Sequence, residues 1–122
     1  MYQYVRTWMK YMDTVWPSKY GLMITEFGWT PFYASSMTVD QEQADLSQTI
    51  FFQSFLNELL KSIHEDSVKI IGVLGWAFVS NWEWGEYDDH FGVQYFNNVT
   101  LERSYKRTIF DFVDFLTGHG AQ

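Results

Sequence analysis

Two short runs of the chain are almost wholly apolar, Gly-Leu-Met-Ile-Thr at 21–25 and Ile-Ile-Gly-Val-Leu-Gly-Trp-Ala-Phe at 70–78. Both are far shorter than the roughly 20 residues of a membrane span. The second is apolar throughout rather than alternating, which predicts a strand covered on both faces. A long stretch of helical periodicity separates the two. Strands alternating with long helices imply βαβ units and a parallel sheet, an α/β architecture.

The flanking segments fit that order. From Tyr4 to Val15, apolar residues at Val5, Trp8, Met9, Met12 and Trp16 mark one helical face, stopped by Pro17 and Gly21. Thr38 and Gln41 are spaced as a capping box, with Asp40 and Glu42 in the first turn favouring the positive end of the dipole. The helix they open is expected to run for about 25 residues. Its apolar face is Ile50, Phe51, Phe55, Leu59 and Ile63, widened by Phe52, Leu56 and Leu60. Phe51, Phe55 and Leu59 are expected to be core against a sheet. Phe91 to Phe96 and Val99 to Glu102 read as a hairpin around Asn97-Asn98, and a last helix is expected from near Ser104 to just before Gly118. No repeat or linker interrupts the chain, so residues 1–122 read as one domain.

Composition removes several function classes. A chain of 122 residues with 8 Lys+Arg against 15 Asp+Glu, net charge -7, lacks the basic footprint of a nucleic-acid or anionic-lipid binder. Neither nucleic acid nor membrane is an expected partner. The absence of cysteine excludes disulfides, thiolate metal sites and Cys nucleophiles. The first residues lack the apolar h-region of a signal peptide, which favours a cytoplasmic location. The 6 Trp, 8 Tyr and 11 Phe exceed what a core of this size needs, so some are candidates for ligand contact.

In parallel α/β folds, ligands bind beyond the carboxyl ends of the strands. The first apolar run delivers Glu26 there, and the second delivers Trp76, Asn81, Trp82, Glu83 and Trp84. Indole faces stack on the C–H faces of pyranose rings, and carboxylates bind hydroxyls or attack an anomeric carbon. Trp82 is expected in the core. Asp88-Asp89-His90 makes a poor metal cage and is expected to be a solvated loop, so no metal or cofactor is called for. Asn98-Val99-Thr100 has the glycosylation pattern, which counts only in a secreted chain.

At these residues the sequence resembles glycoside hydrolase family 1, the β-glucosidase family. Ile-Thr-Glu-Phe-Gly at 24–28 is similar to its I-T-E-N-G nucleophile motif, and Trp-Ala-Phe-Val-Ser-Asn-Trp-Glu-Trp at 76–84 to W-S-L-L-D-N-F-E-W. Phe91-Gly-Val resembles R-F-G-[IV], and Leu-Glu-Arg-Ser-Tyr-Lys at 101–106 resembles L-K-R-Y-P-K. Phe27, Ser80 and His90 replace the family's Asn, Asp and Arg, and the loop from Trp84 to Phe91 is one residue shorter. With Phe27, Thr-Glu-Phe-Gly-Trp also resembles the nucleophile strand of family 5 glycanases, of the same barrel clan.

The resemblance implies a role for each matching residue. Glu26 would be the catalytic nucleophile, Trp76 part of the sugar platform, and Glu83 a ligand of glycone hydroxyls. Trp84 would donate its indole N–H and Phe91 would wall the glycone pocket. It also implies the C-terminal part of a (β/α)8 TIM barrel, about the last two βα units plus a β-hairpin, since a whole barrel needs about 250 residues. The family's acid/base motif N-E-P does not occur here. The implied function is retaining hydrolysis of a β-linked glycoside or oligosaccharide, with the isolated chain inactive. Two other readings stand beside it: a non-catalytic sugar-binding or interaction module, and one chain of a split glycosidase completed by a complementary chain.

Overall fold

The computed structural model describes residues 2–120. In order, its elements are helix α1 (Gln3–Val15), strand β1 (Leu22–Phe27), a 3-10 turn at Ala34–Ser36, helices α2 (Val39–Gln43) and α3 (Leu46–His64), strand β2 (Ile70–Gly75), strands β3 (Gln94–Phe96) and β4 (Arg103–Tyr105), and helix α4 (Arg107–His119). β1 and β2 are hydrogen-bonded neighbours, and β3 and β4 form a second sheet. The Leu22 N–H donates to the Lys69 carbonyl (2.8 Å), so the two strands start side by side, as parallel strands do. This is the expected pair of βα units with a hairpin, a small α/β fold consistent with part of a TIM barrel.

The described residues form two compact units, residues 2–27 with 54–74, and residues 28–53 with 75–120. In the first, β1 and β2 are covered less than the sequence suggests. Met23, Ile71 and Leu74 are exposed, and because side chains alternate along a strand, Ile71 and Leu74 leave apolar surface open on opposite faces of the sheet. Continuous apolarity records a need for cover on both faces, and at these positions the unit leaves it unmet. Its core is Phe27, Leu56, Leu59 and Val68, with the Phe27 and Phe55 rings stacked 4.5 Å apart. α1 turns Val5, Met9 and Met12 inward, whereas Trp8 and Trp16, expected on the same face, are exposed. Trp8 and Trp16 instead meet the edges of Tyr11 at 5.7 and 5.8 Å. Arg6 fastens α1 by bonding both oxygens of Asp66 (2.5 and 2.9 Å) and pairing with Glu65 (2.6 Å).

In the second unit, Phe52 is the most deeply buried large apolar side chain, with the Phe112 ring edge-on at 5.5 Å. Trp29 stacks on Phe51 at 5.3 Å, and the Thr49 and Thr108 hydroxyls bond at 3.1 Å. The expected long helix is two helices. The capping box forms as read, with Gln41 N–H on Thr38 Oγ1 and Thr38 N–H on Gln41 Oε1. The chain then breaks at Ala44, where Asp45 Oδ1 takes the backbone N–H and hydroxyl of Ser47 and so caps a new helix. The hairpin pairs Gln94 with Tyr105, Tyr95 with Ser104 and Phe96 with Arg103, leaving 97–102 as the turn. Asn97 Oδ1 accepts from Val99 and Thr100 there, which consumes residues expected in the second strand. α4 consequently starts at Arg107 and continues past Gly118 to His119. No helix among the described residues is long and apolar enough to cross a membrane.

Candidate active site

β1 alternates at its end, with Glu26 exposed and Phe27 buried. A six-residue strand thus leaves one carboxylate presented one residue before its carboxyl terminus. Directly after it, Gly28 passes so close to the backbone of Trp76 that a Cβ would lie 2.1 Å from the Trp76 carbonyl oxygen. Only glycine fits that approach.

β2 ends at Gly75, shorter than the apolar run, and Trp76 follows with a cis peptide bond to Ala77. The Trp76 indole N–H donates to Glu83 Oε1 at 2.9 Å. Glu83 is only 6% exposed, so this neutral donor fixes the orientation of a carboxylate that has left bulk water. Glu83 and Glu86 exchange both backbone hydrogen bonds (2.8 and 3.0 Å), closing a two-residue turn. Trp84 and Gly85 fill it with φ of 50° and 115°, both positive as a type I′ turn demands. Trp84 therefore stands at the tip and is 97% exposed. Trp82 is not core. It is 57% exposed and meets Tyr87 edge-on at 4.9 Å, because the turn begins one residue later and lifts its side chain out.

Phe91 is half-buried, and its carbonyl accepts from Gln48 Nε2 (2.9 Å) and from the Ala77 N–H (3.3 Å). The same Gln48 amide nitrogen donates to the Trp29 carbonyl at 3.0 Å. Of the sequence candidates, Trp76 and Glu83 are thus bonded directly, and Phe91 is tied to the residue after Trp76. Trp84 stands exposed at the tip of its turn, with no hydrogen bond to Trp76 or Glu83. Glu26 belongs to the first unit and the other four to the second.

His90 departs from the expected solvated loop. Its Nδ1 lies 2.5 Å from Glu42 Oε1, its backbone N–H donates to Thr30 Oγ1 (2.9 Å), and its carbonyl accepts from Lys106 Nζ (2.7 Å). Lys106 Nζ also lies 2.9 Å from Glu42 Oε2, and both side chains are completely buried. Burial pushes the Glu42 carboxyl up, but the His90 hydrogen bond and the Lys106 charge outweigh it and hold the group below its ordinary range. Burial pushes the Lys106 ammonium down by more than Glu42 and Asp45 restore. Among the described residues, no group of three or more His, Asp or Glu side chains could hold a metal ion.

Glu42, Gln48 and Lys106 were not among the site residues that sequence reasoning named. Glu42 has the signature of a first-turn dipole residue, and Lys106 that of a charge flanking a helix. Gln48 carried a usable signal. It stands four residues before Phe52 and so continues the buried face of α3.

The profile of "Glycosyl hydrolase family 1" matches residues 3–120. Among curated proteins, the chain is 29% identical over 83 residues to Beta-glucosidase 1B of Phanerodontia chrysosporium, covering 67% of this chain and 15% of that protein. It is 30% identical over 101 residues to Beta-glucosidase 31 of Arabidopsis thaliana, covering 81% of this chain and 19% of the relative. The chain therefore spans less than a fifth of the length of these relatives. Among solved structures, β-glucosidase 2 of Trichoderma reesei in complex with Tris superposes with a TM-score of 0.92 at 18% identity, over 99% of this chain and 26% of that one. A rice β-glucosidase superposes at 0.83 with 24% identity, over 92% of this chain and 24% of that one. At these identities the superpositions speak for the fold, and the profile match, running through every element just described, speaks for descent. The chain belongs to glycosyl hydrolase family 1.

Proposed function

We propose that this chain is the C-terminal part of a retaining β-glycosidase, with Glu26 as the nucleophile and Trp76, Glu83, Trp84 and Phe91 as sugar ligands. The observation that carries this reading is the Trp76–Glu83 bond at 2.9 Å. An almost buried carboxylate held by a neutral indole is a directed acceptor for hydroxyl groups, beside an apolar ring suited to a pyranose face. In the reaction, Glu26 attacks the anomeric carbon, the bond to the leaving oxygen breaks, and water then hydrolyses the glycosyl ester. The leaving oxygen needs a proton from a second carboxyl group roughly 5 to 5.5 Å from the nucleophile. The family motif that carries that acid, N-E-P, does not occur in the sequence, so the chain by itself is expected to be inactive.

The test is a chimera in which this chain replaces the matching quarter of the Trichoderma reesei enzyme. Hydrolysis of an aryl β-glucoside is expected, and Glu26→Gln is expected to remove it by on the order of 10³-fold or more. A chimera equally active with Gln at 26 overturns the assignment. One that binds sugar without turnover identifies a binding module.

A second reading draws on the exposed Met23, Ile71 and Leu74 of the first unit's sheet. Apolar sheet positions left uncovered suit a complementary chain that carries further barrel strands. That reading expects the purified chain to aggregate or stay partly molten, and a soluble, cooperatively unfolding monomer rules it out.

A further inference from the structure

The backbone of His90 and Phe91 lies in an irregular segment outside the named strands, where the long bond from the Ala77 N–H to the Phe91 carbonyl (3.3 Å) is the first backbone tie and the Val93 N–H on the Ala77 carbonyl (2.9 Å) the next. Side chains supplement that sparse pairing. Thr30 takes the His90 N–H, Lys106 Nζ takes the His90 carbonyl at 2.7 Å, and Gln48 Nε2 takes the Phe91 carbonyl at 2.9 Å. Glu42 grips the same point twice, through the His90 imidazole at 2.5 Å and through Lys106 at 2.9 Å. These groups arrive from α2, α3, the loop after β1 and the residue capping α4. All belong to the second unit.

We propose that Glu42 and Lys106 are positioning residues, a buried charged clamp that fixes the His90–Phe91 backbone and so sets where the Phe91 ring stands. What Phe91 does with that position rests on the glycosidase reading; the clamp itself does not.

Two physical arguments support it. The first is that stability alone gives little reason to bury this pair. Apolar residues of similar volume at both positions commonly serve a core as well or better than a buried ion pair. What they cannot do is donate to the His90 carbonyl, which is the contact Lys106 Nζ makes. The second is charge. A lysine buried this completely stays ionised only beside an anion, and Glu42 supplies it. Glu42 therefore acts on Phe91 at one remove, by keeping the ammonium that holds the preceding residue.

The test uses the full 122-residue chain with Glu42→Leu and Lys106→Met combined, so that no buried charge is left alone. Amide hydrogen exchange is read residue by residue beside the melting temperature. Exchange at His90 and Val93 is expected to accelerate about tenfold or more, with β2 amides and the melting temperature little changed. Unchanged exchange at those two amides overturns the clamp. Uniform acceleration with a lower melting temperature also overturns it, because that is the signature of general support. Should the double variant fail to fold, nitrogen NMR of the unaltered chain decides. A slowly exchanging Lys106 ammonium coupled across the hydrogen bond to the His90 carbonyl is expected, and a freely exchanging one sinks the proposal. No sugar enters either measurement. A clamp that holds in a chimera without hydrolysis would remove the glycosidase reading and leave the clamp standing.

Discussion

The two units use opposite charges in opposite ways. In the first, Arg6 reaches Glu65 and Asp66 with its own side chain and that of Glu65 partly in water, while the Asp66 side chain is 5% exposed. In the second, Glu42 and Lys106 meet where neither touches solvent. A surface pair can exchange partners with water at little cost, and salt screens it. A buried pair has no such fallback, so each partner depends on the other. One arrangement fastens a helix end, and the other fixes the path of an irregular segment.

The largest effect that follows is on the buried side. Lys106→Ala is expected to destabilise the chain by about 3–5 kcal/mol, because it leaves the buried Glu42 carboxylate with the His90 imidazole as its remaining partner. Combining it with Glu42→Leu should recover much of that loss. Urea unfolding of the single and double variants reads this directly. If Lys106→Ala costs no more than Arg6→Ala, the distinction between the two units collapses.

A smaller effect probes how Glu42 is held. α2 is five residues long, too short to persist on helical propensity. Its reciprocal Thr38–Gln41 cap satisfies two amides that would otherwise go unpaired at its start. Thr38→Ala is expected to cost about 1 kcal/mol. Since α2 carries Glu42, the loss should also loosen His90, visible as faster exchange at its amide. A full-sized stability loss without that change would separate the helix from the clamp.

That cap was fully legible in the sequence, because both partners lie within one turn and the chemistry is local. So were the order of elements and the four motifs, which the family match joins into one assignment and settles between families 1 and 5. The break at Ala44 was less so. The helical period runs straight through it, and only the bonds from Ser47 to Asp45 reveal a second start. Trp82 was misread because its exposure follows from a turn of positive φ at Trp84 and Gly85, a conformation that glycine hints at and tryptophan disguises. The clamp was not legible at all. Glu42, His90 and Lys106 come from distant parts of the chain, and charged residues carry no periodic mark of burial when a partner neutralises them.

The smallest effect belongs to the first unit. The Arg6 hydrogen bond, opposed by burial and helped by Lys10, holds the Asp66 carboxyl down at about 2. An aspartate in the unfolded chain titrates near roughly 3.9. A depressed folded value means that the ionised form is favoured by folding. Its contribution is whole above about pH 4 and is lost as pH falls toward 2. Arg6→Met should therefore flatten the decline of stability across that interval, and 1 M salt should flatten it similarly in the unaltered chain. Glu42 is also held low, but its partners are shielded from solvent, so salt should leave its part of the acid response in place. The acid response that survives salt thus reports the buried pair, and the part that salt removes reports the surface one. Equal sensitivity of both parts to salt would mean that water reaches Glu42 and that burial, the basis of the contrast between the units, does not hold in solution.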